Sequence, residues 1–459
     1  MSGADLAGRL AVALAPVLGD GVVIDGLERL SGGASRETWC FDATPGAGGR
    51  SRELILRRDP PSRPGAEGAM GREAQAIGAA EAAGLAVPSV LVADPAGEQL
   101  GSAGMVMTRV AGETIARKIL RDDAYALARP RLARQCGDFL ARLHQLPVDA
   151  VDGLADEDAL ATYRDSYELL DQRSATFELA FRWLEARRPP VTGRTIVHGD
   201  FRLGNLIVDG DGLAAVLDWE LVHRGDPVED LGWLCTRAWR FGAEPPVGGF
   251  GTREDLLDAY AEAGGIPVGP DTLAWWEVVG TLKWGVICMA QASVHLTGLH
   301  RSVELAAIGR RVCEQEGDLL ALIAPDQWAA AQAAPSAPTA PTAGSPGDGA
   351  DPGLHGRPSA VELLDAVREF LEQDVSEATT GRVRFHTRVA TRVVAMVARE
   401  LQLGPAQQAR YREGLARFGV TTEPELARAV RRGDLGDRTD ELAEFLAASV
   451  TDKLIVAHP

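Results

Sequence analysis

Lysine is almost missing from this sequence of 459 residues. It occurs only at Lys118, Lys283 and Lys453, whereas arginine is frequent throughout the chain. No lysine precedes Lys118, so any site in the N-terminal part that needs a fixed cation has to use arginine. Arginine presents several N–H donors in one plane, which suits carboxylates and phosphates.

Cysteine is also scarce, and the few cysteines are far apart. No two of them have C-x-x-C spacing, which argues against a zinc site and against a disulfide framework. We expect buried free thiols instead. The five positions are Cys40, Cys136, Cys235, Cys288 and Cys313.

Long apolar runs and a positive net charge are absent as well. No stretch approaches the roughly 20 apolar residues that span a bilayer, and the N-terminus lacks the basic segment and cleavage site of a signal peptide. The formal net charge is −18, so most of the surface would repel nucleic acids and anionic membranes. At 459 residues the chain is long enough for two or three domains, and a hydrophobic share of 46% with mixed charge argues for a folded protein. We therefore expect a folded cytoplasmic protein without nucleic-acid or membrane partners.

The most informative stretch is residues 198–230. It contains H-x-D-x-x-x-x-N at His198, Asp200 and Asn205, and Asp218 follows thirteen positions later. Phosphoryl transfer requires such a set, because one carboxylate must face the acceptor hydroxyl while an amide oxygen and a second carboxylate hold magnesium on the nucleotide phosphates. Each residue alone could be an ordinary loop residue, but together they predict a kinase-type active site.

The local structure predicted around these residues suits that chemistry. Residues 206–208 and 213–217 are apolar and flank Asp-Gly-Asp-Gly, a strong signal for a hairpin turn. Asn205 would enter the hairpin and Asp218 would leave it. Because the ends of an antiparallel pair meet, both side chains can reach one ion, and hard oxygen ligands suit magnesium.

The region before residue 112 predicts five strands and one helix, which could form a nucleotide-binding lobe. A loop of small residues joins the first two strands and could let backbone N–H groups approach phosphates, although such a loop is also a common turn. Residues 107–110 are the expected hinge, where adenine would bond to the backbone. The candidate nucleotide-binding residues are Ser31, Gly32, Gly33, Ala34, Ser35, Met107 and Arg109.

The third strand, residues 52–58, supplies the candidate phosphate cation. Strand alternation puts Arg57 on the face opposite Leu54 and Leu56, where protein kinases carry a lysine. Glu73, expected in the first turn of the following helix, is its candidate partner. The alternative is a solvated strand end, with Glu73 serving only the helix dipole.

Composition divides the rest of the chain. Residues 112–328 have helical periodicity around the central motif. Residues 329–357 are rich in Ala, Pro, Ser and Gly and predict a disordered linker. Residues 358–459 predict an all-helical domain with no catalytic constellation. The overall class is therefore α+β, with a strand-rich lobe at residues 1–111, a mainly helical lobe and an all-α C-terminal domain.

Some helical details can be tested directly. We predict one helix over residues 302–323 and two helices, residues 384–403 and 405–418, that are separated at a proline. The first of these two carries four arginines at near-helical spacing. They would form either a solvated face or an anion-binding surface, and they are Arg384, Arg388, Arg392 and Arg399.

Several strings resemble the aminoglycoside phosphotransferase and choline kinase family, especially the kinase-like domains associated with acyl-CoA dehydrogenases. They are VHGDFRLGNLIVD, VLDWELVHRGDPVEDLGWL, LSGGASRETW, LILRR and VMTRVAGET, over about residues 20–325. The resemblance implies a bilobal protein-kinase-like fold with ATP and Mg²⁺ in the cleft. It implies Asp200 as catalytic base, Asn205 and Asp218 as metal ligands, and Arg57 with Glu73 as the phosphate-orienting pair. It also implies that His198 braces the catalytic loop and that the protein functions alongside an acyl-CoA dehydrogenase.

The acceptor is open at this point. Aminoglycoside kinases need acidic residues for polycationic sugars, whereas arginines follow the catalytic stretch here, so we expect an anionic hydroxyl compound such as a hydroxy acid or its CoA ester. An antibiotic phosphotransferase for aminoglycosides or macrolides, and a catalytically silent nucleotide-binding or scaffold module, are the alternatives. The candidate acceptor-binding residues are Glu220, Arg237, Arg240 and Lys283.

Overall fold

The computed structural model describes residues 3–30, 36–46, 48–60, 68–170, 172–334 and 358–458. The chain separates into two compact units. The first comprises Met1–Ala159 and Pro189–Gly280, and the second comprises Leu160–Arg188 and Thr281–Pro459.

Short strands are confined to the first unit, and helices occur in both units. The strands are β1 (Val23–Arg29), β2 (Glu37–Thr44), β3 (Arg52–Arg58), β4 (Val90–Asp94), β5 (Gly104–Thr108), β6 (Thr195–Val197), β7 (Leu206–Val208), β8 (Leu213–Val216) and β9 (His223–Gly225). The helices are α1 (Gly3–Leu18), α2 (Ala69–Ala82), α3 (Ala116–Arg121), α4 (Arg129–His144), α5 (Ala159–Glu168), α6 (Ala175–Ala186), α7 (Val228–Cys235), α8 (Arg253–Glu262), α9 (Pro270–Leu296), α10 (Val303–Arg310), α11 (Val312–Ile323), α12 (Pro325–Ala333), α13 (Ala360–Phe370), α14 (Ser376–Ala378), α15 (Gly381–Arg417), α16 (Glu423–Arg432) and α17 (Thr439–Ala457).

The first unit opens with a five-stranded antiparallel sheet in the order β1-β2-β3-β5-β4. Leu54 and Leu56 of β3 are fully buried, because alternate residues of a strand point to the same face. That face packs on α1, whose Leu6, Leu10 and Leu14 form an apolar stripe at helical spacing. Burying each of these leucines contributes about 1.5–3 kcal/mol, so the sheet is a firm platform for the residues on its other face.

The remainder of the first unit carries two small two-stranded sheets among helices. Strands β7 and β8 form the predicted hairpin around residues 209–212, and β6 pairs with β9. Helix α4 packs closely on α8, where Gly137 is needed because a Cβ atom would overlap the Leu256 carbonyl oxygen. The loops that follow β6 and β8 contain Asp200 and Asp218.

The second unit is entirely helical in its described part. Its core contains Leu320 of α11, Leu415 of α15, Leu426 of α16 and Phe445 of α17, together with the start of α6. Polar contacts join the same elements, since the backbone N–H of Ala175 donates to Glu423 Oε1 over 2.8 Å. The C-terminal helices therefore share one core with α6 and α11.

The five-stranded antiparallel sheet, the helical remainder and the all-helical C-terminal region confirm the predicted fold class. Four details were wrong. Residues 302–323 form two helices that meet at Arg311, and α12 extends to Ala333, so residues 329–333 are helix and not linker. Helix α2 begins at Ala69, which moves Glu73 beyond the first turn. Residues 335–357 of the predicted linker lie outside the described residues.

The fourth correction is the predicted break at Pro405, which lies inside the continuous helix α15. Proline removes one helical hydrogen bond and costs about 3 kcal/mol in a helix interior. Contacts with α17 on both sides of it outweigh that cost. Arg399 Nε donates to the Val456 carbonyl oxygen over 2.8 Å, and Gln407 Nε2 donates to that of Asp452 over 2.9 Å.

The cysteines and the apolar helices were also compared with the predictions from the sequence. Cys136, Cys235, Cys288 and Cys313 are buried free thiols as predicted, while Cys40 is half-buried. Burial raises the pKa of the Cys235 thiol to about 12. In the described part of the chain, no helix is both long enough and apolar enough to cross a membrane.

The contact between α15 and α17 yields a stability prediction. A Cβ atom on Gly414 would overlap the Phe445 ring, which is buried. We expect Gly414→Ala to lower the free energy of unfolding by about 1–3 kcal/mol through overpacking. In a Phe445→Leu background the same change should cost clearly less, because the smaller side chain leaves room. Thermal or urea unfolding of the four proteins measures this coupling, and strictly additive effects would contradict the packing described here.

Candidate active site

Asp200 lies three residues after the end of β6, and three donors hold its carboxylate. Asn205 Nδ2 donates to Oδ2 over 2.6 Å, while Arg202 Nε and Trp233 Nε1 donate to Oδ1 over 3.0 and 2.9 Å. The carboxylate is 14% exposed, so it still reaches solvent. Its orientation is therefore fixed while one side remains open to a substrate.

His198 is fully buried and connects the two catalytic segments. Its Nδ1 accepts the backbone N–H of Asp200 over 3.1 Å, so Nε2 carries the proton and donates to the Leu217 carbonyl oxygen over 3.1 Å. Burial lowers the pKa of His198, which favours this neutral form. The ring packs against Trp219, with centroids 4.7 Å apart. The His198 imidazole therefore connects the backbone at Asp200 to the backbone at Leu217.

The Asp230 carboxylate, on α7, binds the backbone of the predicted catalytic loop. Its carboxylate accepts the backbone N–H groups of His198 and Gly199 over 2.8 and 2.9 Å, and His144 Nε2 lies 3.2 Å away. Burial alone would raise the pKa of Asp230, but the hydrogen bond from His144 and the nearby imidazoles lower it below its ordinary value. Asp230 was not among the predicted site residues, because an acidic residue near the start of a helix usually stabilises that helix.

Asn205 and Asp218 flank the β7–β8 hairpin as predicted. The N–H of Leu217 donates to the Asn205 carbonyl oxygen over 2.8 Å, which keeps the two ends together. Asn205 Nδ2 points to Asp200, so its amide oxygen is left for a cation. Asp218 has a left-handed backbone with φ of 68°, a conformation that non-glycine residues adopt rarely and often at functional sites. An amide oxygen and a carboxylate fit Mg²⁺ that also binds phosphates and water.

Arg57 and Glu73 are in contact, with Nη1 to Oε1 at 2.7 Å. Glu73 is fully buried, and Arg57 also contacts Asp218 and, over 3.3 Å, Glu220. Burial raises the pKa of Asp218, but the Arg57 guanidinium outweighs that effect and lowers it. Arg57 is thereby held at the point where nucleotide phosphates and the metal ligand would meet.

Arg36 is a site residue that sequence reasoning missed. It contacts Glu73 beside Arg57, and its Nε lies 3.3 Å from Asp59 Oδ1. Burial and the neighbouring Arg57 charge lower the pKa of Arg36. Its position directly after the small-residue loop, in a lobe without lysine, was the available signal. Two arginines on one buried glutamate take the place of a single lysine–glutamate pair.

A model of the phosphotransferase enzyme family matches residues 26–276, more than half of the chain. This chain belongs to that family. A second family model, described as a domain of unknown function (DUF6285), matches residues 377–459.

The chain is also similar to individual proteins of known sequence or structure. Mouse acyl-CoA dehydrogenase family member 10 is 28% identical over 215 residues, which cover 43% of this chain and 20% of the mouse protein. The chain thus matches about a fifth of that relative's length. A Ralstonia eutropha structure described as an aminoglycoside phosphotransferase superposes with a TM-score of 0.54 at 20% identity, covering 67% of this chain and 95% of that one. A Mesorhizobium loti choline/ethanolamine kinase family protein reaches 0.48 at 20% identity, covering 69% and 94%.

Membership in this family establishes the class of reaction, and the roles of individual residues in the central motif remain predictions. The protein is a phosphotransferase that acts on a hydroxyl group, with ATP and Mg²⁺ as its cofactors. The donor set described above fits both. Asn205 and Asp218 would hold Mg²⁺, which would supply positive charge to neutralise the transferring phosphoryl group.

The predicted nucleotide contacts of the phosphotransferase have mixed outcomes. Residues 31–35 lie outside the described residues. Met107 lies inside β5 between β3 and β4 and is 6% exposed, and the N–H of Arg109 donates to the Glu53 carbonyl oxygen over 3.0 Å. The predicted donor at Arg109 is therefore already used by the sheet.

The predicted acceptor residues are mostly engaged elsewhere. Arg240 Nη2 lies 2.6 Å from Glu277 Oε1 and 2.8 Å from the Cys235 carbonyl oxygen, and Arg253 shares that glutamate. Glu220 belongs to the Arg57 cluster. Lys283 is 2% exposed and lies over the Tyr163 ring within the second unit. Of the four, Arg237 alone is surface-exposed.

Arg202 and two tryptophans lie beside Asp200, and sequence analysis did not identify them as site residues. The Arg202 guanidinium lies 4.5 Å above the Trp239 ring, and Trp239 packs edge-on against Trp233 at 5.0 Å. Trp233 is buried and bonds to Asp200. Tryptophans in helices usually belong to a hydrophobic core, and the sequence does not indicate where an indole N–H points. The contact between Trp233 and Asp200 was therefore not predicted.

Trp233 provides a test of how Asp200 is positioned in the phosphotransferase. We expect Trp233→Phe to lower kcat about tenfold and to leave KM for ATP unchanged, since a hydrogen bond to a charged group contributes about 1.5–3 kcal/mol and Arg202 and Asn205 remain. The control is Trp275→Phe, a buried tryptophan of α9 that packs on Trp276. Equal kinetic losses in both variants would contradict a positioning role.

Asp230 gives a prediction for the pH dependence of stability. Asp230→Asn should lower the free energy of unfolding by about 3 kcal/mol at neutral pH, because a buried charge network is broken. The folded pKa is depressed, so the carboxylate stabilises the fold above its unfolded pKa of about 3.9 and loses that effect as pH falls through the folded pKa. Urea unfolding should therefore show a constant difference at pH 5–7 that shrinks below about pH 4.

The control for that measurement is Asp138→Asn on α4. Asp138 is 54% exposed and faces Arg142 over 3.6 Å. A surface pair of this kind contributes about 0–1 kcal/mol. If both variants lost similar stability, the buried anchor would not be the cause.

Proposed function

We propose that this phosphotransferase acts on a small hydroxyl compound that carries a carboxylate or another anion, such as a hydroxy acid or its CoA ester. One observation carries the proposal: Arg202 lies beside Asp200 and over the Trp239 ring. A cation at this point would meet a negative group close to the reacting hydroxyl.

The chemistry assigns one task to each residue. The acceptor oxygen attacks the terminal phosphorus of ATP, its proton passes to Asp200, and ADP leaves. Arg57, held by Glu73, would orient the phosphates, and Asn205 and Asp218 would hold Mg²⁺. His198 and Asp230 keep the loop in place and do not touch the reacting atoms.

The pairing of the other arginines supports Arg202 as the anion contact. Arg57 has its carboxylates in Glu73 and Asp218, and Arg240 is matched by Glu277. Glu277 in turn receives Arg253 as well, so it offers little charge to a polycationic sugar. Arg202 instead contacts the catalytic carboxylate itself, and an arginine fork suits a carboxylate or phosphate. This balance favours an anionic acceptor over an aminoglycoside.

The relative's name adds a possible metabolic setting. The mouse relative is an acyl-CoA dehydrogenase family member, and we propose that this chain works alongside such an enzyme. An acyl-CoA or its free acid would provide the anion that Arg202 requires. Cytoplasmic location stays a prediction from the sequence.

Incubating the purified chain with a metabolite pool and labelled ATP identifies the acceptor. We expect mass spectrometry to find phosphate on hydroxy acids or their CoA esters, and no phosphate on aminoglycosides or macrolides. Asp200→Asn should lower turnover by orders of magnitude. Labelling that persists unchanged in this variant would refute the catalytic assignment, and labelled aminoglycosides would refute the acceptor class.

Arg202 allows a sharper test once an acceptor is known. We expect Arg202→Gln to raise KM for the acid acceptor at least tenfold, about 1.5 kcal/mol, and to change KM for its primary amide much less. Arg240→Gln is the matched control and should leave both values unchanged. Equal effects of Arg202→Gln on acid and amide would contradict an anion contact.

A further inference from the structure

Arg57 contacts a carboxylate that the predicted metal site also requires. Its Nη2 contacts Asp218 Oδ1, while Nη1, on the other arm of the guanidinium, lies 2.7 Å from Glu73 Oε1. The backbone of Arg57 is held on both sides, because it pairs with Thr38 in β2 and with Met105 in β5. The guanidinium is therefore fixed beside Asp218 both by the sheet and by α2.

The side chains around this contact form what we call the Arg57 cluster. It contains more carboxylates than arginines, and its members are Arg36, Arg57, Asp59, Glu73, Asp218 and Glu220. The excess of negative charge attracts a divalent cation. Arg57 opposes that attraction at Asp218 itself, whereas Arg36 lies against Glu73 and Asp59. Arg57 is therefore the positive charge that a cation would meet at the predicted metal ligand.

We propose that Arg57 makes metal binding depend on the nucleotide, because it competes with a free divalent cation for Asp218 and releases that carboxylate when phosphates bind. This inference rests on the proposed function, which assigns the phosphates to Arg57 and Mg²⁺ to Asn205 and Asp218. Phosphate oxygens supply negative charge to the guanidinium and to the cation at the same time. The two positive charges then no longer share one carboxylate.

The exposure of the Arg57 cluster suits such an exchange. Asp218 and Glu220 are 30% and 29% exposed, whereas Glu73 is fully buried. Glu220 Oε2 also lies 3.3 Å from Arg57 Nη2, so a second carboxylate is within reach when Asp218 is withdrawn. A planar guanidinium has several donors, and Nη1 can stay on Glu73 while Nη2 changes its partner. Arg57 therefore keeps its buried anchor throughout.

A purely structural role for Arg57 predicts a different response to its removal. If the guanidinium only held α2 and the β7–β8 hairpin in place, its loss would loosen the site and weaken the binding of every ligand. Competition for Asp218 instead predicts changes of opposite sign. A free cation should bind more tightly, and a nucleotide without metal should bind more weakly.

Mn²⁺ prefers the same oxygen ligands as Mg²⁺, and the electron paramagnetic resonance signal of the free ion reports its binding to the full chain. Without nucleotide, we expect Arg57→Gln to bind Mn²⁺ at least about tenfold more tightly than the unaltered chain, because a neighbouring positive charge is removed. Arg57→Lys keeps the charge and should resemble the unaltered chain. The gain should vanish in the double variant Arg57→Gln with Asp218→Asn.

Arg134→Gln is the matched control, since it removes one arginine from a surface pair with Glu262 and should leave the affinity for Mn²⁺ unchanged. The fold should survive Arg57→Gln, because Arg36 still contacts the buried Glu73. Circular dichroism and thermal unfolding check that expectation.

Calorimetry with AMP-PNP, an ATP analogue that is not hydrolysed, tests the other half of the proposal without metal. We expect Arg57→Gln to weaken this binding at least about tenfold, because a charged hydrogen bond to the phosphates is lost. Mn²⁺ binding that is unchanged or weaker in Arg57→Gln would overturn the proposal, and so would a gain that persists in the double variant. Failure of the proposed function looks different: the unaltered chain would then not bind AMP-PNP even with Mn²⁺, and the proposal would fall with it.

Discussion

The buried carboxylate of Asp230 holds the active site together. It accepts two consecutive backbone N–H groups of the catalytic loop and receives His144 from α4. The loop is thereby tied to two helices whose own positions are fixed by apolar packing. His198, held by this contact, then links the backbone of Asp200 to that of Leu217. Asp200, the predicted catalytic base, and Asp218, a predicted metal ligand next to Leu217, are therefore set relative to one another by hydrogen bonds between buried groups.

The nucleotide side depends on a second buried carboxylate, Glu73. Arg36 and Arg57 both contact it, and their mutual repulsion is offset by Asp59 and Asp218. An arginine fork can bridge two carboxylates at once, which a lysine ammonium does less well. The near absence of lysine from the chain is therefore compatible with phosphate binding. The contact between Arg57 and Asp218 also joins the predicted phosphate-binding arginine to a predicted metal ligand without a bound nucleotide.

Sequence patterns were reliable where local rules decide structure. Alternation along β3 selected Arg57 over Arg58, and the turn residues between β7 and β8 predicted the hairpin that joins Asn205 to Asp218. They failed where distant contacts override local preference. Pro405 stays inside α15 because α17 holds the helix on both sides, and Arg240, a candidate acceptor residue, is bound by Glu277 from another helix.

The sequence by itself determined the reaction class and the α+β architecture, and it predicted Asp200 as catalytic base with Asn205 and Asp218 as metal ligands, because these depend on residue type, spacing and periodicity along the chain. Only the tertiary structure decided which charges are already matched. It paired Arg240 with Glu277 and set Arg202 and Trp233 on Asp200. Charge pairing depends on distances between residues far apart in the chain, and a sequence does not contain those distances.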